Sequence, residues 1–410
     1  MPSAVAAQRL HTSLRSRDVA QTVAVAQQYM SRLGVSHVID VTRLDHLRLP
    51  VFISVRPGGT VARVHSGKGM LPEDARAGAL MEAVEYAACE SASAACVPRR
   101  LPLAQLTRQW PGGLTAVDFA PRLGGNVGRR ARLAAVECEA LETRHSTLLP
   151  AELVLLPPPK QRNRSLFNSS STGLASGNTL SEATLHALLE VVERDTVAMH
   201  IARDESQPVV LASLPAPFSD LRVGWKRRGV HLLVRHLPNA LGLPCFEAAL
   251  HDPTADPSLV LARGWGLHFD RQIALSRAIC EAAQSRLAVI LSQHGEMPGA
   301  AEMAERLKPP ADPEKTAQLL GRIKKVARRV RFETLPDLPA PAIGVALRHL
   351  LGLLASAGLG PVFRRRLYFN NDPSALAGLH VVKVVVARSE TPIGKHPRIG
   401  PRLFARLQGA

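Results

Sequence analysis

The stretch Ser176-Gly177-Asn178-Thr179-Leu180-Ser181-Glu182, running on through His186, Glu190, Glu193 and Arg194, decides how the chain is read. At about 100° per residue, positions 182, 186, 190 and 193 of a helix project at about 0°, 40°, 80° and 20°, so three carboxylates and an imidazole share one narrow face. Leu185, Leu188, Leu189 and Val192 fill the adjoining arc, which predicts a helix packed on a core along one flank. Like charges at i,i+3 and i,i+4 repel by roughly 0.2–0.5 kcal/mol per exposed pair. No Lys or Arg is interleaved before Arg194, so positive partners must come from outside the helix. The Gly-Asn-Thr turn offers phosphate-binding donors and a helix cap at Thr179 or Ser181. Donors for phosphate beside ligands for a hard cation point to a magnesium-nucleotide site, since Mg2+ takes carboxylate, phosphate and water oxygens.

Two further segments fit that site. Ser66-Gly67-Lys68-Gly69 precedes a helical pattern over residues 72–89 that carries Glu82 and Glu85 on one face. The Gly-Lys-Gly run reads as a turn in which an unflanked lysine can approach a phosphate closely. The third segment, Arg277-Ala278-Ile279-Cys280-Glu281, continues through Gln284 and Arg286 on a helix after a strand-like run at 258–262. Taken alone, Arg277 and Glu281 read as an i,i+4 salt bridge.

Together the spacings Glu-x-x-Glu, Gly-Asn-Thr-x-x-Glu-x7-Glu-x-x-Glu-Arg and Arg-x-x-x-Glu-Ala-x-Gln-Ser-Arg resemble the YcaO family, over roughly residues 36–387. Weaker likeness lies in Val41-Thr42-Arg43-Leu44-Asp45 and in Gly264-Trp265-Gly266-Leu267-His268. The resemblance implies a YcaO-like fold that binds ATP and Mg2+ in a cleft between helices, without a P-loop. It implies that Glu82, Glu85, Glu182, Glu190, Glu193 and Glu281 hold Mg2+ and ATP, and that Lys68, Asn178, His186, Arg194 and Arg277 contact the nucleotide. It names no catalytic nucleophile on the protein. The implied activity is phosphorylation of a backbone amide oxygen in a ribosomal peptide or a protein, giving a thioamide with a sulfur donor or an azoline with Cys, Ser or Thr. Gly78, Tyr86 and His186 depart from the family pattern, where Ser, Arg and Gln are common, and this bears on purine and ribose contacts. The segment 395–410 resembles the branch that works with a TfuA protein rather than azoline formers with a Pro-x-Pro-x-Pro tail. A TfuA-like protein and a second copy of the chain are the candidate partners. The alternative of another class is a non-catalytic ATP-binding adaptor for a protein-modifying partner.

The remaining sequence sets bounds. Strand-like runs at 51–55, 232–234, 245–250 and 381–387 between helical patterns predict an α+β class of mixed sheets flanked by helices. The expected division is an N-terminal segment 1–62 packed on the core, a catalytic domain 63–387 and a tail 388–410, with a Pro-rich break at 156–163. Residues 1–18 lack an apolar core of signal-peptide length, and no apolar run spans a membrane, which predicts a cytoplasmic protein. Five cysteines without a Cys-x-x-Cys pair read as reduced thiols. The net charge of +17 is carried mainly by arginine, and its densest run is 322–331, read as a solvated helix face or a dock for an acidic partner or RNA. With three Trp, three Tyr and ten Phe there is little aromatic surface for base stacking, so nucleic-acid binding is a minor reading.

Overall fold

The computed structural model describes residues 8–9, 13–125, 128–159, 165–307, 312–326, 328–392 and 397–409. Two short strands, β1 (Gln8–Arg9) and β2 (Leu14–Arg15), pair as an antiparallel ladder ahead of helix α1 (Val19–Gln27). Strands β3 (His37–Asp40), β4 (Val51–Val55) and β5 (Val64–Lys68) form an antiparallel sheet in sequence order, covered by the long helix α2 (Pro72–Ala94).

A second sheet assembles β6 (Arg99–Pro102), β7 (Arg132–Ala140), β8 (Ser146–Pro150), β9 (Leu174–Gly177), β14 (Val362–Leu367) and β15 (His380–Val386). Its order is β6-β7-β14-β15-β9, with β8 also on β7, so β9 is a terminal strand. Helices α3 (Leu103–Thr107) and α4 (Ala151–Val154) are short connectors of this sheet. Helix α5 (Leu180–Ala202) leaves β9 directly and packs back across β9 and β15.

The third sheet is the meander β10 (Gln207–Pro208), β11 (His231–His236), β12 (Cys245–His251) and β13 (Leu261–Leu267). Helix α6 (Ala216–Arg227) leads into β11, and α7 (Arg271–Ser292) lies along β13 and β12. Helices α8 (Ala300–Leu307), α9 (Pro313–Lys324), α10 (Ile343–Ser356) and α11 (Pro401–Gln408) complete the fold. The α+β class is as expected, and among the described residues no helix is long and apolar enough to cross a membrane.

Close strand-to-helix packing explains the glycines that the sequence reading gave to a phosphate turn. Ser66-Gly67-Lys68 is not a turn but the end of β5. A Cβ on Gly67 would lie 1.8 Å from the Ala75 carbonyl oxygen and 2.2 Å from the Ala79 nitrogen, so this glycine lets β5 lie flat on α2. Gly264 and Gly266 serve the same purpose under α7, where a Cβ would come within 2.2 Å of the Ala282 nitrogen and of the Ala274 carbonyl oxygen respectively.

Other expectations also shift. The strand-like run at 258–262 is mostly turn, with pairing beginning at Leu261, because Asp256 caps the turn through the Ser258 N–H and hydroxyl. The basic run 322–331 is not one helical face, since α9 ends at Lys324. Its first arginine turns inward, and Arg322 Nη2 donates to both oxygens of the buried Glu247 at 2.7 and 2.8 Å. Residues 160–163 of the Pro-rich break, residue 327 and residues 395–396 lie outside the described residues.

Arg286, at the end of the third motif, is structural. It is 3% exposed and bridges Asp45 at 3.2 Å and Asp252 at 3.0 Å, joining α7 to the segment after β3 and to the turn after β12. Removing the guanidinium strands two buried carboxylates. Arg286→Ala is therefore expected to lose about 3–5 kcal/mol in urea unfolding, against little change for an exposed residue such as Arg227→Ala.

Candidate functional site

Five helices, α1, α2, α5, α7 and α8, and the strands β2, β5 and β9 of three sheets border one cavity of about 510 Å3. Helix α5 brings His186, Glu190, Glu193 and Arg194; α2 brings Glu82 and Glu85; α7 brings Arg277 and Glu281; and β5 ends in Lys68. Of the eleven site residues expected from sequence, these nine line the cavity together. Asn178 and Glu182 do not.

Those two form a buried network one turn away. Thr179 caps α5 by accepting from the Glu182 N–H at 3.2 Å, and the Glu182 side chain folds back over the helix start. Its oxygens accept from Arg15 Nη1 at 3.1 Å, from the Ser16 N–H and hydroxyl at 2.9 and 2.5 Å, and from Asn178 Nδ2 at 3.2 Å. Burial alone would push this carboxyl up, but Arg15 and Ser16 outweigh it and hold it below its ordinary value. Glu182 thus fastens the segment carrying Arg15, and it is Arg15 that lines the cavity, beside Ser13.

Four of the five remaining carboxylates present one oxygen to a backbone amide. Glu82 Oε2 accepts from the Ser66 N–H at 2.6 Å and Glu85 Oε1 from the Ser176 N–H at 2.8 Å. Glu190 Oε2 accepts from the Gly173 N–H and Glu193 Oε2 from the Leu267 N–H, both at 3.1 Å. The second oxygens of Glu190 and Glu193 turn toward Arg194, at 4.0 and 3.7 Å, and Glu193 Oε1 is buried without a hydrogen-bond partner. Arg277 and Glu281 do not pair along their own helix. Arg277 Nη2 lies 3.6 Å from Glu193, while Glu281 takes Lys68 Nζ at 3.0 Å and approaches Arg194 Nη2 at 3.7 Å. The positive partners required by the bare acidic stripe are therefore supplied by another strand and helix, with Arg194 swung back over its own.

The electrostatics are those of a site short of positive charge at one end. Burial pushes Glu85 up to about 8, with Glu82 adding to the effect and the Ser176 hydroxyl opposing it. Burial likewise raises Glu190, which Arg194 offsets only in part. Glu281 is held low against its burial by Lys68 and Arg194. His186 is pushed well below its ordinary value by burial and by Arg15 and Arg277, so it is neutral, and its Nδ1 is buried without a partner.

These residues fit a nucleotide carrying a divalent cation. An orphaned carboxylate oxygen and two carboxyls raised by burial want a cation, while the guanidinium Nε of Arg277 is buried without a partner and wants an acceptor. Among the described residues no three His, Cys, Asp or Glu side chains stand close enough to cage a metal by themselves. Mg2+ bound through one or two carboxylates needs phosphate and water oxygens to complete its shell, so the cation and the nucleotide would enter together.

Several wall residues escaped the sequence reading. Ser13 and Arg15 lie more than 150 positions from the acidic stripe, and no local pattern marks them. Gln284 stood inside the third motif without a role; its side chain bridges Lys68 Nζ at 3.0 Å and the Ser66 carbonyl at 2.8 Å.

A pH test isolates Glu85. A carboxyl whose folded pKa exceeds its unfolded one costs stability as pH rises between the two, here from about 4.5 to about 8, with no further loss above. In ligand-free protein with EDTA, Glu85→Gln removes that loss. Its melting temperature is expected to gain on wild type across this interval and to run parallel above it, measured by thermal unfolding.

Comparison with known proteins gives the family and the fold. A chain from Mycobacterium tuberculosis described as an uncharacterized protein is 32% identical over 346 residues, 81% of this chain and 75% of that one. A protein of Rhizobium leguminosarum bv. trifolii, described as an uncharacterized protein in the tfuA 3' region, is 29% identical over 95% of this chain and 92% of its own. Among solved structures, YcaO from Methanopyrus kandleri bound with AMPPCP and Mg2+ superposes with a TM-score of 0.71 at 22% identity, over 96% of this chain and 99% of that one. A heterocyclase in complex with substrate and cofactor superposes with a TM-score of 0.74 at 22% identity over 95% of this chain, which spans 54% of the heterocyclase. A family model described as YcaO cyclodehydratase, ATP- and Mg2+-binding, matches residues 66–390, and the chain accordingly belongs to the YcaO family, with ATP and Mg2+ as its cofactors.

Proposed function

We propose that the protein uses ATP and Mg2+ to phosphorylate a backbone amide oxygen of a ribosomal peptide or a protein, with a TfuA-like partner and a sulfur donor turning that amide into a thioamide. The observation that carries the ATP-dependent chemistry is the convergence of Glu82, Glu85, Glu190, Glu193 and Glu281 with Lys68, Arg194 and Arg277 on one cavity. The kinship to a protein described by its place beside tfuA favours the thioamide branch. So does the resemblance of the segment 395–410 to that branch.

Bound ATP with Mg2+ supplies the phosphoryl group that makes the amide oxygen a leaving group. The chain's own part is alignment and charge. Lys68 and Arg277 face the carboxylates from β5 and α7, positions suited to phosphate oxygens, and Arg194 spans Glu190, Glu193 and Glu281. Glu82, Glu85, Glu190 and Glu193 each tie one oxygen to a backbone amide, and the second oxygens of Glu190 and Glu193, turned toward Arg194, are placed to meet the cation. No side-chain nucleophile is needed, and burial pushes the cavity-lining Cys280 thiol up to about 12, which keeps it neutral. The balance closes simply: the amide oxygen leaves with phosphate, and the donor's sulfur takes its place.

The second reading is azoline formation, favoured by the shared fold with a heterocyclase. A non-catalytic ATP-binding adaptor would hold Mg2+ and ATP on the same carboxylates, and ATP turnover separates it from the enzyme.

Glu193→Gln keeps an acceptor for the Leu267 N–H, so the variant is expected to fold while ATP turnover falls by about a hundredfold or more. Calorimetry with Mg2+ and ATP, beside circular dichroism, reads both, and retained turnover defeats the proposal. With the TfuA-like protein, sulfide, ATP and a candidate substrate, mass spectrometry is expected to show oxygen replaced by sulfur; loss of water would select the azoline reading.

A further inference from the structure

Behind the acidic site lies a buried lysine that the chemistry above does not use. Lys383, on β15, is 4% exposed, and its ammonium donates to two backbone carbonyls, those of Ser170 and Thr172, at 2.6 and 2.5 Å. No ion pair within 4.0 Å involves it among the described residues. Burying an ammonium without a carboxylate against it costs several kcal/mol, and a methionine would fill the same space more cheaply. The bonds to the loop are what the lysine adds.

That loop, Ser169-Ser170-Ser171-Thr172-Gly173, separates two cavities. Ser171 lines the large one, whereas Ser170, Thr172 and Lys383 line a small one of about 40 Å3 on the other side. The backbone is tied at four carbonyls: Ser170 and Thr172 to the ammonium, Ser171 to the Leu174 N–H at 2.8 Å, and Gly173 to the Val384 N–H at 2.8 Å. Gly173 adopts φ +79°, and a Cβ there would lie 2.3 Å from the Val384 carbonyl oxygen, so the loop presses on β15 at this point. What the loop delivers is the Gly173 N–H, which holds Glu190 Oε2 at 3.1 Å.

We propose that Lys383 is a positioning residue for the acidic site: by clamping the Ser170 and Thr172 carbonyls it sets the Gly173 N–H that orients Glu190, leaving the other carboxylate oxygen turned toward the cavity for the cation. This rests on the reading of Glu190 as part of the Mg2+-ATP site. Lys383 shares the wall of the small cavity with Glu152, Glu390 and Arg398.

The test compares wild type, Glu190→Gln, Lys383→Met and Lys383→Arg, each checked for folding, by titrating a non-hydrolysable ATP analogue at graded Mg2+ and by measuring ATP consumption. The expected result is that Lys383→Met raises the Mg2+ needed for half-saturation by about tenfold or more, with KM for ATP rising alongside, and that Lys383→Arg restores most of it. If Lys383→Met does not fold, Lys383→Gln, which keeps an amide donor, is read in its place. Wild-type Mg2+ dependence in the Met or Gln variant, with binding still lost in Glu190→Gln, overturns this proposal and leaves the nucleotide site standing. A shift that Lys383→Arg fails to restore also overturns it, since the charge would then not be what matters. Absence of Mg2+-dependent binding in folded wild type removes the nucleotide reading and this inference together.

Discussion

A buried backbone N–H at the end of a sheet must find an acceptor, and in this protein the acceptors are carboxylates on helices. Ser66 of β5, Ser176 of β9 and Leu267 of β13 belong to three different sheets, and each gives its N–H to a glutamate of α2 or α5. Gly173 and Ser16 do the same just outside regular strands. An unsatisfied buried amide costs about 1–3 kcal/mol, so these five bonds are part of what holds separately built sheets around common helices. Four of the glutamates held in this way, Glu82, Glu85, Glu190 and Glu193, line the cavity.

For Glu190 and Glu193 this arrangement ties one oxygen to a backbone amide and turns the other toward Arg194 at the cavity. The oxygen on the amide fixes the rotamer, so the other is aimed without further ordering when a cation arrives. It also explains an uneven electrostatic state. Glu281 and Glu182 have a lysine or arginine against them and stay ionised, whereas Glu85 and Glu190 are raised because burial outweighs the positive charge within reach. In the free protein burial thus penalises the charged forms of Glu85 and Glu190, a penalty that a cation at that end of the cavity would relieve. Arg194 and Arg277 stand among these carboxylates, Arg194 near Glu190, Glu193 and Glu281 and Arg277 near Glu193.

Parts of this were legible in the linear chain for a physical reason. Residues within one helix have fixed angular relations, so the shared face of His186, Glu190 and Glu193, and the pairing of Glu82 with Glu85, followed from spacing alone. The cap at Thr179 followed from local hydrogen-bond chemistry. The glycines were misread because a gap left by a missing side chain can be filled by a phosphate or by a neighbouring helix, and only the packing of β5 on α2 tells which. The i,i+4 pairing of Arg277 with Glu281 was displaced by longer-range partners for the same reason: Glu193 and Lys68 come from other elements.

The sequence by itself determined several of the secondary elements, the α+β class, the family and nine of the residues that wall the cavity, because these depend on helical period, local capping and motif spacing. Tertiary structure alone decided that Arg15 enters the wall while Glu182 leaves it, that Gln284 bridges Lys68 to β5, and that Lys383 stands behind Glu190. Those placements depend on which strand ends meet which helices, over separations of up to more than 200 residues, and chain spacing carries no information about directions in space at that range.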